Sequence, residues 1–177
     1  MTERRITVNE VLRFMHHDMM NQLQLVKINL DLNRIEDVEE AVQKMATHSQ
    51  NFFNINRLCI PQTTEWLHTV AWRYPALQVS VTCTIEDVAK LEWDEPLEHL
   101  LEQSVQQIVE GIDPLVEQRL SLNVFSSKTD FEITFDYEGS SSATPNLELT
   151  NAELLLEDES FSQSNWHYCI YAHKEGI

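Results

Sequence analysis

Residues 6–31 contain neither glycine nor proline, and Val8, Leu12, Met15, Met19, Leu23, Val26 and Leu30 recur along them in steps of three and four. That spacing puts an apolar seam on one face of a long helix. After the polar break Asp31-Leu32-Asn33-Arg34, a second seam runs through Ile35, Val38, Val42, Met45, Ser49 and Phe52, and Pro61 ends it. Two long amphipathic helices joined by a short connection predict an antiparallel hairpin. A two-helix hairpin covers its own apolar faces poorly, so two copies are expected to pair as a four-helix bundle. The rival expectation is that the seams pack on the rest of the same chain.

The remainder reads differently. Thr63–Tyr74 suggests a short helix with Thr63 or Thr64 as its cap, and Leu77–Ile85 (LQVSVTCTI) alternates as a strand does. Asp94, Pro96 and Gly111 have the types of a helix cap, first turn and stop. Leu120–Phe125 and Phe131–Tyr137 flank a turn, 138–146 is a loop, 147–164 is ambiguous, and Trp166–Ala172 is a last strand. The expected fold class is α+β. It comprises a helical hairpin over 1–60 and a two-layer α/β domain with a mostly antiparallel sheet over 61–177.

Charge sharpens the division. The 177 residues carry a net charge of −17, yet residues 1–60 hold 7 basic and 8 acidic groups while 61–177 hold 5 and 21. Such a chain repels a phosphate backbone, so nucleic acid is not an expected partner. No run of about 18 apolar residues is present, so no membrane partner is expected either. Arg4 and Arg5 are followed by no apolar signal region, and Cys59, Cys83 and Cys169 form no CxxC. Both features fit reduced thiols in a cytoplasmic protein. The cysteines are expected to be buried by default. No metal site is expected.

The residues richest in chemistry lie in Phe14–Leu32, FMHHDMMNQLQLVKINLDL. At 100° per residue, His17 points about 165° from the seam centre and His16 about 65° from it. His17 is therefore expected on the outer face, near Glu10, Arg13, Phe14, Asn21, Gln24 and Ile28, and His16 on a partly packed flank. The usual reading of a helix histidine is a surface residue without a role. An exposed neutral imidazole is nevertheless a competent nucleophile near neutral pH, and the adjacent carboxylate of Asp18 can orient it. Adjacent histidines point to different faces, which disfavours zinc. His68, His99, His167 and His173 are scattered and carry no expected role, and the four tryptophans are expected to pack the second core.

The segment His17-Asp18-Met19-Met20-Asn21-Gln22-Leu23-Gln24-Leu25 resembles the phosphoacceptor helix of the sporulation initiation phosphotransferase B family, with its pattern H-D-x-x-N-x-L-Q-L. That family is related to the dimerisation helices of sensor histidine kinases. Leu101–Val105 (LEQSV) also resembles a helix of the family's second unit. The resemblance implies a histidine phosphotransferase in a phosphorelay, passing a phosphoryl group between aspartates of two response-regulator receiver domains, with sporulation initiation as the output. In it His17 is the phosphoacceptor and Asp18 orients the ring. Arg13, Phe14, Asn21 and Gln24 contact the receiver, and Mg²⁺ belongs to the receiver's own site. Gln22 departs from the family, where a lysine is expected. The C-terminal unit resembles a degenerate histidine-kinase ATP-binding domain. Gln103 stands where the metal-binding asparagine aligns, and Gly111, Gly139 and Gly176 form no glycine-rich phosphate loop. No tightly bound cofactor is expected. The alternatives are a dimeric receiver-docking module without phosphotransfer and an ATP-dependent histidine kinase.

Overall fold

The computed structural model describes residues 6–174. The chain divides between Phe53 and Asn54 into two compact units.

The first unit is a pair of helices, α1 (Val8–Asp31) and most of α2 (Ile35–Ile55), joined at Leu32–Arg34. A reciprocal cap starts α1. Glu10 N donates to Thr7 Oγ1 at 3.3 Å, and Thr7 N donates to Glu10 Oε2 at 2.9 Å. This Thr-x-x-Glu box satisfies two amides that open a helix. The connection closes through Asn33, whose φ of 53° is in the left-handed region that asparagine tolerates.

Coverage in this unit is thin. Asn29 and Ala41 are its only buried residues among those described. Val11, Phe14, Gln22 and Val26 are half-buried. On the helical wheel Val11, Phe14, Gln22 and Asn29 fall to one side of the seam, and of the seam itself Val26 alone is half-buried. Val8 is 75% exposed, and Leu12, Met15, Met19, Leu23 and Leu30 are all exposed.

The second unit opens with the end of α2 and one 3-10 turn, Asn56–Leu58. Ile55, Leu58 and Ile60 are buried in its core, so the chain joins this unit several residues before Pro61. Helix α3 (Pro61–Arg73), strand β1 (Gln78–Ile85), helix α4 (Asp94–Gly111) and strands β2 (Arg119–Ser126), β3 (Asp130–Glu138), β4 (Leu155–Phe161) and β5 (Asn165–His173) follow. The sheet order is β1-β2-β3-β5-β4. Only β1 and β2 pair in parallel, joined by the crossover through α4, and every other pair is antiparallel.

Alternation makes the core. Leu120, Leu122 and Val124, then Phe131, Ile133, Phe135 and Tyr137, then Trp166, Tyr168, Ile170 and Ala172 are buried, in period two. Trp66 and Val70 of α3 and Leu97, Leu101, Val105 and Ile108 of α4 join the same cluster. Phe135 and Tyr168 stack at 4.7 Å between centroids, and Tyr168 OH meets Ser104 Oγ of α4 at 2.7 Å. The result is helices on one face of an open sheet, the α+β two-layer unit that the sequence predicts.

Several local expectations are corrected. Thr63 and Thr64 are not caps: both are buried within α3, whose N-cap is Ile60 with Pro61 in the first turn. Asp94 does not cap its own helix. A 3-10 turn, Leu91–Trp93, runs directly into α4, and the Asp94 carboxylate accepts instead from Gln62 N and Thr63 N of α3 at 2.9 and 2.8 Å. The ambiguous stretch 147–164 contains the edge strand β4. Its periodicity is broken by a register shift between Glu157 and Ser160 and by Asp158 at φ 52°. Cys59 is exposed at a left-handed turn (φ 60°), and Cys83 and Cys169 are only half-buried. Trp66, Trp93 and Trp166 are buried as expected, while Trp72 is half-buried.

Candidate functional site

Helix α1 carries the site. Its side chains at positions 17 and 21 lie one turn apart on one face, because residues four apart on a helix are neighbours. The His17 side chain is 69% exposed. Its Nδ1 lies 3.3 Å from Asp18 Oδ1 and also 3.3 Å from Asn21 Nδ2. The two contacts differ in kind. A carboxylate only accepts, so Asp18 requires a proton on Nδ1. The Asn21 NH₂ only donates, so it requires a lone pair there. Nε2 is the ring nitrogen with neither of these contacts.

The other predicted residues separate. Asp18, Asn21 and Gln24 are exposed on the same helix, and Phe14 is half-buried. The Arg13 guanidinium sits over the Phe14 ring at 5.5 Å from its centroid, a cation–π contact that holds the cation one turn before His17. Gln22 is half-buried. The structure therefore brings Asp18 and Asn21 each within hydrogen-bond reach of His17.

His16 corrects an expectation. It is exposed, not partly packed, and its Nδ1 lies 2.9 Å from the Leu12 carbonyl oxygen. A carbonyl accepts, so this contact holds the proton on Nδ1 of His16. The signal was legible, since a helix side chain leans back over the preceding turn.

In the second unit, Gln103 and Gln107 both lie on α4. Gln103 Nε2 contacts His99 Nε2 at 2.9 Å. The Gln107 amide is turned to the chain's own backbone: Nε2 donates to Asn146 O and Oε1 accepts from Asn146 N, both at 2.9 Å. Ser141 Oγ donates to Ile108 O at 3.1 Å and Ser142 N to Gly111 O at 2.9 Å. Residues 141–146 thus form a strap tied across the C-terminal half of α4. Beside it lies an open cleft of about 250 Å³ lined by Gln107, Glu110, Gly111, Ser142, Ala143 and Thr144, with no cation among them. Among the described residues, no group of three or more histidine, cysteine, aspartate or glutamate side chains converges as a metal site would require.

A buried polar cluster between α3 and α4 was not legible in the sequence. Glu102 accepts from Trp66 Nε1 at 2.7 Å, Tyr74 OH at 2.6 Å and Gln106 Nε2 at 2.8 Å, with Arg73 Nη1 at 3.8 Å. Burial, and then the neighbouring Glu102, push the Tyr74 hydroxyl well above its ordinary value. These partners come from two helices about thirty residues apart, a juxtaposition that no periodicity reveals.

Comparison with known proteins returns to α1 and α2. Residues 1–58 match the family described as sensor kinase SpoOB-type, alpha-helical domain. The chain is 24% identical over 127 residues to sporulation initiation phosphotransferase B of Bacillus subtilis (strain 168), a match covering 70% of this chain and 65% of that protein. Two solved structures are similar in course. Histidine kinase ThkA in complex with response regulator protein TrrA matches at 13% identity and a TM-score of 0.43, covering 94% of this chain and 61% of that one. Acinetobacter baumannii histidine kinase AdeS matches at 10% identity and a TM-score of 0.44, covering 89% and 97%. The family and sequence matches bear out the resemblance first seen around His17, and relate the chain to two-component phosphorelay proteins.

Proposed function

We propose that this relative of phosphorelay proteins is a histidine phosphotransferase that carries a phosphoryl group on His17 between the aspartates of two response-regulator receiver domains. The observation that carries the reading is an exposed imidazole whose Nδ1 lies 3.3 Å from the carboxylate of the next residue. With the proton of Nδ1 held toward Asp18, the lone pair of Nε2 faces solvent. It attacks the phosphorus of a receiver aspartyl phosphate in line. The P–Nε2 bond forms, the P–O bond breaks, and its electron pair leaves on the receiver carboxylate. Asp18 balances the positive charge that develops on the ring. Reversal onto a second receiver completes the relay. Positioning and charge neutralisation do most of the work in such transfers. The receiver supplies Mg²⁺, and Arg13, Phe14, Asn21 and Gln24 contact it along α1.

The same reading makes the chain a homodimer in the cytoplasm with sporulation initiation as its output. The exposed seam from Val8 to Leu30 supports the dimer, because a second hairpin would cover it as a four-helix bundle. The 141–146 strap, the engagement of Gln107 with Asn146 and the cation-free cleft support a second unit that works without nucleotide. Dimerisation and phosphotransfer fall to the unit that ends at Phe53 and the kinase-like role to the unit from Asn54, a few residues before the expected division of 1–60 and 61–177.

The test incubates the protein with a ³²P-labelled phospho-receiver and Mg²⁺, beside a His17→Ala control and a parallel reaction with ATP. Label should move to an acid-labile, base-stable adduct on the wild type alone. Transfer undiminished in His17→Ala would overturn the reading, and label taken from ATP would make the protein a kinase.

A further inference from the structure

We infer that the side-chain amide of Asn21 selects which nitrogen of His17 is nucleophilic, so that Asn21 is a positioning residue that silences or arms the imidazole. The inference rests on the phosphohistidine reading above. Its basis is the doubly contacted Nδ1. Asp18 Oδ1 and Asn21 Nδ2 stand at the same distance, 3.3 Å, from one atom that can satisfy only one of them at a time. When Asn21 donates to the Nδ1 lone pair, the single ring proton must sit on Nε2, the nitrogen that faces solvent. That nitrogen then has no in-plane lone pair to offer phosphorus. When Nδ1 instead donates to Asp18, Nε2 is unprotonated and competent.

The two states interconvert by a small motion. A half-turn of the Asn21 amide brings Oδ1 to face the ring. Asp18 and Asn21 then both accept, and both favour a proton on Nδ1. Asn21 is exposed and one turn from His17, so a docked receiver that accepts from its NH₂ would withdraw the opposing donor and arm the ring. His16 supplies an internal contrast. Its Nδ1 faces the Leu12 carbonyl at 2.9 Å, which can only accept, so its proton cannot be contested in this way.

Proton and electrons balance in the armed state. The neutral ring gives the Nε2 lone pair to phosphorus, the Nδ1 proton stays between ring and Asp18, and the carboxylate of the donor receiver leaves with the P–O pair. No proton need enter or leave.

The tautomer can be read without any phosphotransfer. In ¹⁵N-histidine-labelled full chain, long-range proton–nitrogen spectra at about pH 8.5, some two units above the ordinary imidazole value, report the ratio for His17. Wild type should show both forms, and Asn21→Asp, which can only accept, a ratio shifted clearly toward Nδ1–H. Asn21→Ala, which adds no charge, should move in the same direction. A ratio unchanged in both variants overturns the inference. Labelling by phosphoramidate, a small donor needing no docked receiver, gives the second readout. Asn21→Ala should phosphorylate His17 several-fold faster than wild type, and a shifted ratio without faster labelling would refute the arming role. If the ratio shifts but His17 is never labelled, the phosphohistidine reading fails while the tautomer selection stands. If wild type is labelled and the ratio does not respond, only the present inference fails.

Discussion

Thr63 and Asp94 clasp each other in the core of the second unit: Thr63 N donates to Asp94 Oδ1 at 2.8 Å, and Thr63 Oγ1 donates to the Asp94 carbonyl at 3.0 Å. Both residues are buried, and Asp94 also takes Gln62 N at 2.9 Å. One carboxylate therefore serves as a distant cap for α3 while its backbone starts α4, so the two helices that cover the sheet are locked end to end. Hydrogen bonds from backbone N–H to a carboxylate are among the stronger ones in proteins.

Removing this cap should loosen both helices. Asp94→Ala strips two amides of their acceptor in a buried place, a loss of about 2–3 kcal/mol. Thermal unfolding followed by circular dichroism should show the midpoint falling by roughly 5 °C or more. A midpoint within a degree or so of wild type would mean that water replaces the cap without cost.

The helix seam predicts the behaviour of the first unit. Leu23 and Met19 are each 46% exposed at the centre of α1. Leu23→Glu places two like charges in the seam of the proposed bundle, and light scattering after gel filtration should show a monomer where wild type is a dimer. A variant that stays dimeric would place the dimer contact elsewhere.

Glu102 tests the interior polar cluster. Its side chain and that of Arg73 are 11% and 10% exposed. Arg73 Nε and Nη1 are buried without a hydrogen-bond partner. Glu102→Ala leaves that guanidinium only the exposed Glu65 at 3.9 Å as counter-charge and takes the acceptor from Trp66 Nε1 and Tyr74 OH, at a cost of about 3 kcal/mol. Denaturant titration reads this directly, and a loss under about 1 kcal/mol would show that Arg73 escapes to solvent.

Thiol reactivity should rank the three cysteines. Burial, reinforced by Glu132, Glu157 and Asp158, pushes the Cys169 thiol from 9.0 up to about 12. Cys59 is exposed. At about pH 8.5 iodoacetamide should modify Cys59 first and leave Cys169 intact until denaturant is added, as peptide mass mapping would show. The sign of the linkage follows. Because the folded thiol keeps its proton longer than the unfolded one, this contribution to stability is whole below pH 9 and is lost as the pH rises toward 12. Cys169→Ser should flatten that alkaline loss.

Gly111 offers a case where a helix-favouring change should do harm. Alanine is ordinarily better than glycine in a helix by about 1 kcal/mol. A Cβ at Gly111 would lie 2.7 Å from Ala143 N and 2.9 Å from Ser141 Oγ, against the strap. Gly111→Ala should therefore lower stability and speed amide exchange at Ser142 and Asn146. Slower exchange there would show that the strap shifts at no cost.

Much of this protein was legible in its sequence, for reasons that are local. A 3.6-residue apolar period needs only neighbouring residues to be read, so α1 and α2 could be placed almost to their ends. The same wheel put His17 on an outer face, and the structure agrees. Strands β1, β2, β3 and β5 betrayed themselves by period two and β-branched or aromatic residues, whereas β4 lost its period to a bulge and a left-handed Asp158.

What the tertiary structure decided are the relations between residues far apart in the chain, or the choice among partners close together. Asp94 has the residue type of a cap, but only the approach of α3 determines which helix it caps. Gln107 finds its partner only because residues 141–146 are tied across α4. The spacing of His17, Asp18 and Asn21 shows that they can meet, and the rotamers then bring both neighbours to the same ring nitrogen. Periodicity fixes which face a side chain occupies. The atom it touches depends on packing and hydrogen bonds whose free energies are set by the whole fold.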